Sequence, residues 1–382
     1  MMDLSFNLFN FLDLSIIILY LLIIFVMSSK YNGGDYYFKY LAVSIGILHL
    51  LMSLLFTSYS VNNPSDSIVY FRKSQAINIW DTFGIGDGTD FISQVIFPFT
   101  YFVKGSYTGS NLVFSMISLV GVYRLFSVIT VLLKSWSWWL LLFLLPSMHF
   151  WTGFLGKDAL IFFGITTIVY NIFFRKDISH YILPIIMIVL SRFYIAVFLS
   201  IGLVLAIVFL SKNVKFFTKI SIGIISSVIM TLLSPYFFSV VGVGSASNIE
   251  NRREAILKAN LEGGSGIDLS NSNLLVRFFS YLFRPFVFEA HSFTSLMASF
   301  ENILWMIMFY LIIRNFKTIA KNQNVLFWFC ITSFITILLP ASYILSNLGI
   351  ASRQKIMIFP FLIYIFFCVV QRVFLKAKNK YS

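Results

Sequence analysis

Five groups of residues in this 382-residue chain are of types that do chemistry. The first is Asp66, in the run Asn63-Pro64-Ser65-Asp66-Ser67-Ile68-Val69-Tyr70, followed by Arg72 and Lys73. A carboxylate there can serve as general base towards a bound hydroxyl. Its structural alternative is a helix start, with Ser65 or Asp66 capping a short helix through Trp80. The second is Lys157-Asp158, which closes the segment from Pro146 through His149 and Gly156. Lys157 can bind a phosphate, or it can pair with Asp158 at a helix start, where the dipole favours the acid. A phosphate-binding Gly-x-x-x-x-Gly-Lys-Ser/Thr loop is excluded: Asp158 stands where a hydroxyl is needed and the glycine spacing differs. Third, Arg192 interrupts a long apolar stretch. A guanidinium so placed grips a phosphate through two parallel hydrogen bonds or pairs with an acid on another helix.

The fourth group is the densest: Arg284-Pro285, Glu289-Ala290-His291 and then Glu301. Glu289 or His291 can transfer a proton, and Arg284 can neutralise an anion. Glu301 falls about 15 Å further along a helix than His291. A carboxylate at that depth must be protonated, paired or facing water. The fifth is Arg353 with Lys355, ahead of Pro360. Asp81, Asp87 and Asp90 alternate with Gly84, Gly86 and Gly88, an oxygen-rich loop. Its spacing does not match a calcium-binding EF-hand, so a solvated turn is expected and no metal site is assigned.

These residues need a scaffold, and composition says which kind. The chain is 59% hydrophobic and 11% charged, with mean hydropathy +0.87. Soluble domains carry about 25% charged residues, so a soluble enzyme, a nucleic-acid binder and a disordered chain are excluded. The pattern predicts an all-α, polytopic transmembrane helical bundle, residues 1–382 forming a single integral membrane domain. Eleven apolar segments fit a crossing: 14–29, 40–57, 110–133, 136–150, 158–174, 181–191, 193–210, 220–242, 293–313, 325–346 and 356–374. Segment 181–191 is short for a crossing at 1.5 Å per residue. Segments 92–103 and 274–290 are candidates to lie along or re-enter the membrane. Cys330 and Cys368 lie in apolar runs and are expected as reduced packing residues.

Charge supplies the orientation. Segments 30–39, 134–136, 175–180, 211–219, 314–324 and 372–382 hold 15 of the 28 Lys and Arg, against two acids, Asp35 and Asp177. The rest of the chain balances at 13 of each sign. Retained positive charge marks the cytosolic side, which places the N-terminus outside and the C-terminus inside. The first apolar run follows Asp3 and Asp13 and precedes Lys30, the reverse of a signal peptide, so an uncleaved helix is expected. Two large loops then face outside, 58–109 and 243–292. The second is expected to start with an amphipathic helix over 248–258 and a flexible Gly263–Gly266 stretch. Every candidate group above lies on the outer side. Lys157, Arg192, Arg284 and Arg353 at an apolar outer face suit a lipid-linked pyrophosphate, anionic at its head and apolar in its tail.

The motifs also resemble a family. Pro64-Ser65-Asp66-Ser67-Ile68-Val69-Tyr70 after the second helix is similar to the Asp-x-x-x-Tyr element in the first outer loop of polysaccharide polymerases related to GT-C glycosyltransferases. Pro146 to Asp158, Arg284-Pro285 with Glu289 to His291, Ser299 to Asn302, and Arg353 before Pro360 resemble patterns in proteins of O-antigen and exopolysaccharide assembly. The resemblance touches about a third of the chain. It implies a Wzy-type polymerase in the bacterial cytoplasmic (inner) membrane, joining undecaprenyl-pyrophosphate-linked glycans without a cofactor. It maps the base to Asp66, with Glu289 and His291 as further catalytic candidates. Lys157, Arg192, Arg284 and Arg353 would bind pyrophosphate, supported by Tyr70, Asp158 and Glu301. Expected partners are the lipid-linked oligosaccharide donor and acceptor, membrane lipid, and a chain-length regulator or flippase, with no nucleic acid. Three other classes stand beside it: a flippase for the same lipids, an acyltransferase using His291 or His149, and a structural membrane partner.

Overall fold

The computed structural model describes residues 8–31, 36–80, 88–210, 215–226, 264–269, 271–321 and 324–375, with a few positions between 254 and 261. Among them every regular element is helical, and one isolated bridge joins Gly266 to Asn347. The chain divides into two compact units, 1–192 and 193–382.

The first unit contains α1 (Phe11–Ser29), α2 (Tyr36–Asn62), α3 (Asp66–Lys73), α4 (Gly88–Phe97), α5 (Tyr107–Leu133), α6 (Pro146–Thr152), α7 (Lys157–Phe173) and α8 (Ser179–Ser191). Hydroxyl and amide side chains start several of them. Ser65 accepts from the Ser67 amide and Ser106 from the Gly109 amide, each satisfying an orphan donor of the first turn. Directions follow from the cross-links. Leu8 accepts from the Thr108 amide, so α1 and α5 start at the same end. The Tyr31 hydroxyl lies 2.7 Å from Ser127 Oγ, so they also finish together. Ser60, near the end of α2, bonds Tyr107 at 2.7 Å. The Leu155 amide donates to Asn111 Oδ1, and Arg124 to Thr167, which makes α7 parallel to α5. Asn171 donates to the His180 carbonyl, bringing α8 back antiparallel.

One end of this unit therefore collects the starts of α1, α5 and α7, the finishes of α2 and α8, and the short helices α3 and α4. We term it the polar end. The other end holds Lys30, Lys39, Lys134, Arg175 and Lys176 in its turns and helix termini, with Asp177 as its described acid. Buried hydroxyls and amides join the helices throughout, as where no water is available to them. Gly164 lets α7 approach α8 closely: a Cβ there would sit 2.5 Å from Ile188 Cγ1.

The second unit contains α9 (Phe193–Leu205), α10 (Phe216–Ser226), α11 (Leu274–Phe283), α12 (Phe293–Ala320), α13 (Val325–Tyr343), α14 (Leu348–Gln354) and α15 (Phe359–Val369). Thr332 donates to the Gly202 carbonyl and Thr336 to that of Phe198, so α9 and α13 run antiparallel. Lys355 reaches Asn302 while Arg372 reaches the carbonyls of Ile319 and Lys321, so α15 runs parallel to α12. Here too one end is basic, with Arg314, Lys317, Lys321 and Arg372. Cys330 and Cys368 are free and buried, as expected of packing residues.

Among the described residues five helices, α1, α2, α5, α12 and α13, are long and apolar enough to cross a membrane. A sixth span results if Leu348–Met357 and Phe359–Val373, bent by 62°, count as one. The expected span 136–150 is not one helix. It is a 3-10 segment, Trp138–Leu144, followed by α6, because Pro146 has no amide to donate and restarts the helix at its own first turn. It still connects the two ends, from Lys134 to Leu155. The expected spans 158–174, 181–191 and 193–210 are helices of 17, 13 and 13 residues, the last continuing as a π-turn at Ala206–Leu210. Segment 92–103 is the end of α4 plus a π-turn starting at Pro98. Segment 274–290 is α11 followed by a 3-10 turn at Val287–Glu289. Most of 220–242 and of the helix expected over 248–258, with Asp81 and Asp87, lies outside the described residues.

Candidate functional site

At the polar end of the first unit, four of the short or terminal elements converge. Ser65 caps α3, which ends at Lys73 rather than running to Trp80; a 3-10 turn, Ile77–Trp80, follows. Asp66 is exposed in the first turn of α3, and Tyr70, one turn later on the same face, is buried. Lys157, the first residue of α7, holds its Nζ 5.9 Å from the Tyr70 ring centre and 3.3 Å from Thr89 Oγ1. Gly88 opens α4 against this lysine. A Cβ at Gly88 would lie 2.0 Å from the Ser191 carbonyl oxygen and 3.0 Å from Lys157 Cε, so only glycine lets α4 meet α8 here. Lys73 pairs with the buried Asp90 and ties the end of α3 to the start of α4.

Arg192 closes α8 and separates it from the helix that follows. Its Nη2 lies 3.0 Å from Oδ1 of Asp158, which is wholly buried in the first turn of α7. The site thus brings Asp66, Tyr70, Lys157, Asp158 and Arg192 onto α3, α7 and α8 around the start of α4. Two helix N-termini, those of α4 and α7, contribute partial positive charge beside Lys157.

The second unit builds a separate cluster. Arg284 follows α11 and holds Glu289 through both carboxylate oxygens, with Nε to Oε2 at 3.0 Å. The Phe286 amide donates to the same carboxylate at 2.9 Å. Burial works against the charge on Glu289, but the Arg284 and Phe286 bonds and the nearby Arg284 and His291 charges outweigh it. They hold the carboxyl below its ordinary value. The Arg284–Pro285 peptide is cis. Lys355, buried, donates to Asn302 Oδ1 at 2.6 Å and to the Arg284 carbonyl at 3.2 Å, with Glu301 in electrostatic range. Ser299 and Asn302 donate to the carbonyls of Phe286 and Pro285. His291 is exposed, and Arg353 is half-buried in the last turn of α14.

The expected site residues therefore fall into two groups, one in each unit. For Arg192 the structure shows the ion-pair alternative, with Asp158 on another helix, and Arg284 holds a carboxylate of its own, Glu289. Glu289, the candidate for proton transfer, accepts from three N–H donors, two on Arg284 and the Phe286 amide. Sequence reading assigned no site role to Thr89 or Gly88, and it named Asn302 and Lys355 without assigning either a role. The signal for Lys355 was present, a cation two residues after Arg353 ahead of an apolar run. Among the described residues no three His, Cys, Asp or Glu are placed to hold a metal ion.

Comparison with protein-family models, with curated proteins and with solved structures finds no match for the chain. What the described residues define is a class: a helical protein in which five or six helices are long and apolar enough to cross a membrane, with polar clusters at one end of each unit and basic loops at the other.

Proposed function

We propose that the protein is a membrane glycosyltransferase of the polysaccharide-polymerase kind, joining lipid-pyrophosphate-linked glycan units at the outer face of the bacterial cytoplasmic membrane. One observation carries the reading. Lys157 lies by the Tyr70 ring, one helical turn from Asp66, and Arg192 pairs with Asp158 at the same bundle end, opposite the basic loops and next to the starts of α4 and α7. Positive charge assembled at the polar end of an apolar bundle suits an anionic head group on an oily tail, delivered from within the bilayer.

In this reading Asp66 takes the proton of the acceptor hydroxyl. The acceptor oxygen bonds the anomeric carbon, the bond from that carbon to the phosphate oxygen breaks, and lipid pyrophosphate leaves with the electron pair. Lys157 stabilises the charge that develops on it, and Arg192 exchanges its contact with Asp158 for a phosphate oxygen. Arg284, Glu289 and Lys355 form a separate cluster in the second unit. No cofactor is needed.

The test is reconstitution with lipid-linked oligosaccharide and analysis of the product on a gel. Wild-type protein is expected to give a ladder, and Asp66→Asn and Lys157→Ala to lose it. Ladders of wild-type length from both variants at equal protein level would overturn the site. A flippase is the second reading, favoured by division into two units of nearly equal length. Movement of labelled lipid across liposomes with no new glycosidic bond would select it.

A further inference from the structure

One cation inside the first unit takes no part in the proposed transfer. Arg124 stands on α5, seventeen residues after its start at Tyr107 and nine before its finish at Leu133. Its guanidinium is held by α7. It donates to Thr167 Oγ1, which passes its own proton to the Phe163 carbonyl. Its Cζ lies 5.0 Å from the Phe163 ring centre and 5.9 Å from that of Tyr170. The guanidinium is therefore level with Thr167, six residues or about 9 Å before α7 ends at Phe173.

A guanidinium carries five N–H donors. Thr167 takes one of them. Among the described residues no carboxylate pairs with Arg124, and the other four N–H groups have no protein acceptor. The two aromatic faces favour the charge without accepting those bonds. A charge kept at this depth in an apolar bundle calls for a partner.

The surroundings say which kind. Val120, Arg124, Ser127 and Val131 follow at helical spacing as the stripe of α5 that is half-buried or exposed. Thr167 on α7 holds Arg124, and Tyr31, just past α1, bonds Ser127 at 2.7 Å, so α7 and α1 border the stripe. Tyr31 and Tyr170 lie within electrostatic range of each other, and the Tyr170 hydroxyl has no protein partner among the described residues. Towards the polar end the stripe continues through Ile117 and Val113, apolar and half-buried. Towards the basic end it runs out to the turns that carry Lys30, Lys134, Arg175 and Lys176, all exposed. Exposed cations, then a guanidinium with an unused fork, then an apolar strip repeat the order of a phospholipid from head group to tail.

We propose that Arg124 is the phosphate-binding residue of a site for one anionic phospholipid, drawn from the leaflet at the basic end of the first unit. The fork gives two parallel hydrogen bonds to two phosphate oxygens. An acyl chain lies along Val120, Ile117 and Val113. The cations in the turns select a head group of net negative charge, as basic pockets between membrane helices do. The site is at the opposite end of the bundle from Asp66 and Lys157 and does not rest on the transfer reaction.

Native mass spectrometry of the full chain, stripped of lipid in detergent, tests this. The titrants are phosphatidylglycerol, phosphatidylcholine with the same acyl chains, and inorganic phosphate. Wild-type protein is expected to bind one phosphatidylglycerol about tenfold more tightly than phosphatidylcholine, and inorganic phosphate is expected not to displace it. Arg124→Met should weaken that lipid about tenfold, and Arg124→Lys, which keeps the charge without the fork, about threefold. Arg175→Met removes an exposed cation at the same end and should change the affinity less than about twofold. Equal affinity for the two lipids would overturn the proposal, as would displacement by inorganic phosphate, an unchanged affinity in Arg124→Met, or an equal loss in Arg175→Met. The wild-type comparison of the two lipids decides alone if a variant fails to fold. Loss of the glycan ladder has no bearing on it.

Discussion

The Asp158–Arg192 pair offers a way to separate holding the fold from holding a ligand. Asp158 is wholly buried and Arg192 mostly so, with charges 3.0 Å apart. At an effective dielectric of about 20 their attraction is of order 5–6 kcal/mol, offset by the desolvation of both. Removing one partner breaks this buried pair and costs about 3–5 kcal/mol. Asp158→Asn and Arg192→Met should each lower stability by that amount. The double variant, Asp158→Asn with Arg192→Met, removes both charges and should recover to within about 1–2 kcal/mol of wild type. Unfolding in mixed micelles, followed by tryptophan fluorescence, measures all four proteins as a cycle. Additive single costs, with no recovery in the double variant, would refute the pairing. The refolded double variant then reports on ligand binding: if Arg192 exchanges Asp158 for phosphate, it should be stable yet lose the glycan ladder at least tenfold.

Three further outcomes follow from the geometry. Gly88→Ala should cost about 1–3 kcal/mol, since its Cβ would stand 2.0 Å from the Ser191 backbone oxygen, and thermal inactivation would measure it. Because Arg284 and Phe286 lower the Glu289 pKa, the stabilisation from this group is complete above the unfolded carboxylate pKa of about 4.3 and disappears as pH falls through the lower folded value. Glu289→Gln should remove that acid-side loss in melts between about pH 2 and pH 5, and an unchanged pH profile would refute the assignment. Single cysteines replacing Pro64 and Ser135 should label from opposite faces in intact cells and inverted vesicles, the first from outside, and labelling from one face would refute the orientation.

Much of the fold was legible locally. Apolar runs marked α1, α2, α5, α12 and α13 because each is long enough to leave water without its neighbours. Ser65, Ser106, Asn273, Ser292 and Asn324 accept from the first turns they precede, a contact made within three residues. Arg192 broke the apolar stretch where the helix breaks. Lys and Arg in the turns foretold that each unit has a basic end. The crossing at 136–150 misled because its hydropathy suits a span, while Pro146 and a 3-10 segment divide it.

Composition and local spacing thus determined which segments are helical, where they start, and which of their ends carries the positive charge, because these depend on solvation and on bonds between near neighbours. Pairings across the bundle were decided by the tertiary structure alone. Asp158 meets Arg192, Lys73 meets Asp90, and His49 meets His149 across a hundred residues of sequence. Such contacts depend on how closely helices pack, as where Gly88 admits Ser191, and neither Asp158 nor Asp90 carries in its own sequence neighbourhood the identity of the partner that neutralises it.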